Sequence, residues 1–209
     1  IPTTPSQPTD AIFPGQQVYA GVSSADANLY IAYYGDGDET CYVDVDSPYD
    51  VLKPSLHVPE VPGPIFEVGL RLNKDVSLQL NHVGWQGNPE VTFERPKHKG
   101  LMWKRAWVDA VDQLVGWSEM FRLVQNEGLG MISQGTREWT NYVVSADVTP
   151  HLVSRAGVAA RVQGLTRFYA LMVTLDQKVQ LVKSVHKESV LAEAEFNWTL
   201  GDTLNMSLH

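Results

Sequence analysis

From Val18 onward the apolar residues recur at alternate positions in short runs. In "CYVDVDS", Cys41, Val43 and Val45 fall on one side, and Tyr42, Asp44 and Asp46 on the other. That is the period of a half-buried strand. "NLYIAYY" precedes it, and the glycines of "GDGDET" supply turn dihedrals, so the pair predicts a hairpin. "FEVGLRL" and "VSLQLNHVGW" predict two more strands. Between them and the hairpin stand Pro54, Pro59, Pro62 and Pro64, which exclude a central strand or a helix from that stretch.

"ERPKHKG", residues 94–100, is a polar break, and a domain boundary is expected there. "MWKRAWVDAVDQLV" then predicts a helical turn or two, or a loop capped by aromatics. Alternation resumes in "FRLVQN", "GMISQGT", "NYVVSADVTP", "AGVAARVQG", "RFYALMVTL", "KVQLVKSV", "SVLAEAEF" and "TLNMSLH". Turn residues separate these runs at close, even spacing, the rhythm of an antiparallel sandwich rather than a parallel α/β fold. Residues 1–17 hold four prolines among Thr, Ser and Gln and predict a linker or extended arm. The expectation is an all-β chain of two antiparallel β-sandwich (jelly-roll) units, 18–96 and 97–209, behind that arm. The start at Ile1 and the stop inside an alternating run suggest a fragment of a longer polypeptide.

Composition narrows the partners. A hydrophobic fraction of 44% over 209 residues suffices for one large core or two small ones. A net charge of -8 with no run of Lys or Arg argues against nucleic acid and anionic membranes. No apolar run approaches the roughly 20 residues that span a bilayer. The single cysteine, Cys41, forms no intrachain disulfide and leaves the compartment open, with a secreted or extracellular setting favoured.

The stretch "YYGDGDETCYVDVDSPYD" raises the question of metal binding. An EF-hand loop beginning at Asp36 would need Gly at its sixth position and Glu at its twelfth, where Cys41 and Ser47 stand. That motif fails. A looser calcium site of loop carbonyls with Asp36, Asp38 or Glu39 remains as an alternative to a solvated hairpin tip, the simpler reading. Asp44 and Asp46 lie about 7 Å apart by strand rise, but nothing around them suggests the raised pKa of a catalytic acid. The chain has no nucleophile elbow, Walker loop, Rossmann fingerprint or HExxH. Its six histidines show no ligand spacing. No cofactor is expected beyond that structural calcium.

Sugar rings offer an apolar face and a rim of hydroxyls, which aromatic rings and polar side chains match. Trp139 with Arg137, Glu138, Gln125, Asn126, Arg161, Gln163 and Tyr169 is the first candidate surface for such a ligand. Tyr30, Tyr34, Tyr42, Asp44, Asp46 and Trp85 form a second candidate face. The competing reading is a core Trp in one unit and cross-strand aromatic pairing in the other. "NWT" at Asn197 and "NMS" at Asn205 are glycosylation sequons, relevant in a secreted eukaryotic chain.

"MWKRAWVDAVDQL", "FRLVQNEGLGMISQGTREWTNYVVSADVTPHLVSRAGVAARVQGLTRFYALMV" and "LVKSVHKESVLAEAEF" resemble the C-terminal accessory region of large microbial ADP-ribosylglycohydrolase-family proteins. "SADVTPH", "AGVAARVQG" and "FYAL" also resemble a concanavalin A or laminin-G-like jelly roll. The front part, ending in "WQGNP", is similar to galactose-binding-like and carbohydrate-module sandwiches. The resemblance implies two sandwiches covalently attached to a catalytic domain, and it carries no catalytic residue onto this chain. The leading expectation is a non-catalytic module for a carbohydrate or glycan-like ligand. The rivals are a jelly-roll glycoside hydrolase using Glu127, Glu138 or Asp147, and a structural region that packs on a catalytic domain or mediates oligomers.

Overall fold

The computed structural model of the chain describes residues 11–23, 27–44, 52–72, 77–94, 100–117, 120–136 and 138–209. The fold is all-β, and the strand pairs whose register is described are antiparallel, as the alternation predicts. Two compact units divide it: residues 1–126 with 134–136, and residues 127–133 with 137–209. The division falls after Asn126 rather than near residue 97.

The first unit contains β1 (Gln17–Val22), β2 (Ala27–Tyr34), β3 (Thr40–Asp44), β4 (Ser55–His57), β5 (Ile65–Leu72), β6 (Leu80–Gln86), β7 (Val108–Ala110), β8 (Gln113–Trp117) and β9 (Met120–Val124). Two three-stranded sheets, in the orders β4-β1-β6 and β3-β2-β5, share one core. Val18, Ala20 and Val22 of β1 and Leu56 of β4 meet Leu29 and Ile31 of β2 and Val68 of β5 there, all buried. The proline-flanked β4 is an edge strand, where a missing N–H is tolerated.

Residues 11–16 are no free arm. Phe13 and Gln16 are buried, and the Gly15 N–H donates to Val58 O at 3.0 Å. The Gln16 amide closes this segment: its Oε1 accepts from the Phe13 N–H at 2.9 Å, and its Nε2 donates to Gly87 O at 3.3 Å. The predicted helical turn is a 3-10 turn, Met102–Ala106. It belongs to the first unit because the Asp38 carboxylate accepts from both the Leu101 and Met102 N–H groups, at 2.8 and 2.7 Å.

The second unit contains β10 (Met131–Ser133), β11 (Val144–Val148), β12 (Arg155–Ala160), β13 (Arg167–Thr174), β14 (Lys178–Val185), β15 (Lys187–Glu195) and β16 (Leu204–Leu208). Strands β12 to β15 form a four-stranded meander, and β11 pairs with β16. Val158, Val173, Trp198 and Met206 form one core of this unit; Phe168, Ala170, Met172 and Val182 form another. Trp198 is a core plug: its indole N–H donates to Thr174 O at 2.9 Å. Among the described residues no helix is long and apolar enough to cross a membrane.

Candidate functional site

In the second unit the segment before β11 meets the connection that leaves β12. The Trp139 and Tyr142 rings stand edge to face, with centroids 6.0 Å apart, and both side chains are half-buried. The Tyr142 phenol oxygen accepts from the Arg161 backbone N–H at 2.6 Å. The Arg161 Nη2 donates to Thr140 O at 2.7 Å. These bonds hold Arg161 at φ 52, a left-handed conformation that a long side chain rarely adopts. Two aromatic rings and a fixed guanidinium therefore share one locus. Gln163 is exposed in the same connection, where its N–H donates to Arg167 O at 2.8 Å. Tyr169 lies on β13 with the Lys183 ammonium 5.8 Å from its ring centroid.

Gln125 and Asn126 belong to the first unit and clasp Asp112. The Asp112 N–H donates to Gln125 Oε1 at 3.1 Å, and the Asn126 N–H and Nδ2 both donate to Asp112 Oδ2 at 2.8 Å. Their amides close the open end of the β8–β9 hairpin, next to the Gln113–Val124 pair. Glu138 is exposed, and Arg137 lies outside the described residues.

The second candidate face is the outer side of the sheet β3-β2-β5. The Tyr30 and Tyr42 rings meet edge to face at 5.8 Å, and Tyr42 is 55% exposed. By alternation Tyr34 shares this face, stacked on Phe66 at 4.3 Å. Two members were missed by the sequence reading. Arg71 sits over both rings, 5.3 and 5.9 Å from their centroids, and is ion-paired with Asp44. The Tyr30 hydroxyl donates to Glu67 Oε1 at 2.5 Å. This bond to a carboxylate, with burial second, pushes the Tyr30 pKa up to about 12. Alternation in "FEVGLRL" already sets Glu67, Gly69 and Arg71 on one face; the pairing of β5 with β2 is what joins them to the tyrosines.

Trp85 is a correction to that face. It lies on β6 in the other sheet, opposite Val18, and packs against the core. Asp46 lies outside the described residues.

At the tip of the β2–β3 hairpin, Tyr33, Gly35, Asp36, Gly37, Glu39, Cys41 and Pro62 line an open depression of about 450 Å³. The acids proposed for calcium are engaged by the chain itself. Asp38 caps the 3-10 turn, and Glu39 Oε2 accepts from the Gly37 N–H at 2.8 Å. Among the described residues no group of three or more His, Cys, Asp or Glu is placed to hold a metal ion. Burial, then the neighbouring Cys41, raises the Tyr33 pKa.

Three carboxylates belong to the glycosidase reading. Glu127 and Glu138 are exposed in loops, while Asp147 on β11 accepts from Asn205 Nδ2 at 2.9 Å. That bond engages one sequon asparagine inside a strand pair; Asn197, the other, is exposed beside buried Trp198.

No family model, no curated protein and no solved structure matches this chain.

Proposed function

We propose that the chain is a non-catalytic glycan-binding module, with its ligand resting on Trp139 and Tyr142 and held by Arg161. The observation that carries this reading is the locked arginine. Its backbone and guanidinium are each hydrogen-bonded, beside two half-buried rings. A preorganised donor next to an aromatic face meets both halves of a sugar's chemistry and avoids ordering a long side chain at binding. Attachment to a larger hydrolase, as the resemblance implies, would make the role one of targeting, by raising effective concentration near the substrate.

The test is binding to a broad glycan panel in the presence of calcium. Binding that Trp139→Ala abolishes, with the thermal midpoint retained, supports the reading. A panel with no binder refutes it.

One observation favours a second reading, packing against another polypeptide. Strand β15 is exposed along all nine residues, including Val190 and Leu191. A partner domain that protects β15 amides from exchange would support this role.

A further inference from the structure

We infer that the ligand is an acidic glycan, bearing carboxylate or sulfate groups, a conclusion that rests on the glycan reading above. The first observation is the state of Arg161. Among the described residues Arg71 and Arg155 are paired with the carboxylates Asp44 and Glu188, whereas the Arg161 guanidinium bonds only the neutral Thr140 carbonyl. Arg161 is exposed, and its planar fork retains donors suited to an oxyanion.

The second observation is the charge polarity of the sheet that carries it. The strand register aligns Ala160, Tyr169, Lys183 and Ser189 across the four strands, and Arg167, Val185 and Lys187 beside them. That end therefore gathers Arg161, Arg167, Lys183 and Lys187, with Glu188 its one carboxylate on these strands. His186 turns at the same end, tied by its N–H to Thr166 O at 2.9 Å. By register the opposite end carries Asp176, Glu193 and Glu195 with Lys178, which is already bonded to Glu193 at 3.0 Å, while the Arg155 guanidinium is taken up by Glu188 at 2.5 Å. The aromatic locus of Trp139 and Tyr142 is fastened to the basic end, through Arg161.

The net charge of the chain does not oppose this. The second unit has seven Lys or Arg against eight Asp or Glu, a net of -1; the first has nine against sixteen, a net of -7. An acidic polymer thus meets a nearly neutral unit with a basic end, and local field rather than total charge governs the encounter.

Calorimetric titration of the whole chain with matched oligosaccharides tests the inference. The set is a neutral glucan, its uronic-acid counterpart, its sulfated counterpart and a single-stranded oligonucleotide of equal charge. Expected is binding of the uronate or the sulfated arm at least about tenfold tighter than the neutral one, weakening with salt. Arg161→Gln should weaken it by about tenfold, and Arg161→Lys should not restore it, because an ammonium lacks the planar fork. The Arg161 N–H bond to Tyr142 survives both changes, and Lys183→Gln serves if neither variant folds. Equal binding of the neutral glucan, weakened by Arg161→Gln as much as the acidic arms are, overturns the acidic ligand and leaves the glycan reading standing. Oligonucleotide binding as tight as the acidic glycan also overturns it. No binding to any glycan removes both.

Discussion

The Tyr142 hydroxyl oxygen accepts the Arg161 backbone N–H at 2.6 Å across nineteen positions of sequence. It fixes an exposed loop at the one residue whose left-handed backbone needs support. The same phenol ring stands T-shaped against Trp139, so ring geometry and arginine geometry are linked through one side chain.

Tyr142→Phe keeps the ring and removes the acceptor. The expected outcome is a small loss of stability, about 0.5–1.5 kcal/mol for one hydrogen bond, with a larger proportional loss of glycan affinity. Amide exchange at Arg161 checks the structural part, since that N–H should lose protection while those of β13 keep theirs. Unchanged protection would show that the loop is held by other means.

Tyr30 lies directly opposite Gly69 on the outer face of β2 and β5. A Cβ at position 69 would come 2.3 Å from Tyr30 Cζ, so the glycine makes room for the ring. Gly69→Ala is expected to cost about 1–3 kcal/mol by overpacking. In a Tyr30→Ala background the same change should be almost neutral. A double-mutant cycle in urea measures this coupling, and additive effects would contradict it.

Titration of Tyr30 gives stability a defined pH dependence. The Glu67 carboxylate holds the phenol protonated, to about 12 in the folded chain against 10.0 ordinarily. The native state therefore keeps a proton that the unfolded state releases between those values. The contribution to stability is full below pH 10.0, falls as pH rises, and is gone above about 12. Besides Tyr33, whose pKa is also raised, ultraviolet titration should find Tyr30 ionising late among the eight tyrosines. Glu67→Gln should bring it back toward the others.

The strands were legible because one face of each meets a core and the other meets solvent. In β3, Cys41 and Val43 turn one way and Tyr42 and Asp44 the other, and burial follows. The β2–β3 hairpin was legible as well, but the pairing of strands distant in sequence was not. Trp85 read as a rim residue of the Tyr30 face because its strand follows β5 in sequence, yet β6 pairs with β1. A boundary was expected near residue 97, and the two compact units divide after Asn126. "ERPKHKG" has the composition of a linker, but Gly100 lies against Asp36 O and Asp38, and no local pattern announces that long-range contact. Of the candidate site, Trp139 and Arg161 were visible as residue types. The bonds that lock Arg161 depend on a turn dihedral and a phenol placed by tertiary structure.

That long-range contact supplies the last prediction. Asp38 stands at φ 69 on the β2–β3 hairpin tip, and its two carboxylate oxygens each accept one N–H of the 3-10 turn. It works as a helix cap supplied from sixty-three residues away in sequence, counted to Leu101. Asp38→Ala removes both acceptors and puts an unfavourable side chain in a left-handed conformation, for an expected loss of about 1–2 kcal/mol. Asp38→Asn tolerates the dihedral and retains one acceptor, so it should lose less. The 3-10 turn carries Trp103, whose ring lies 5.5 Å from Phe121. Its fluorescence should therefore report the loosened turn in Asp38→Ala before global unfolding. Because both oxygens already serve backbone donors, millimolar calcium should leave the thermal midpoint of the unaltered chain where it is. A rise that Asp38→Asn abolishes would instead reveal a calcium site at this hairpin.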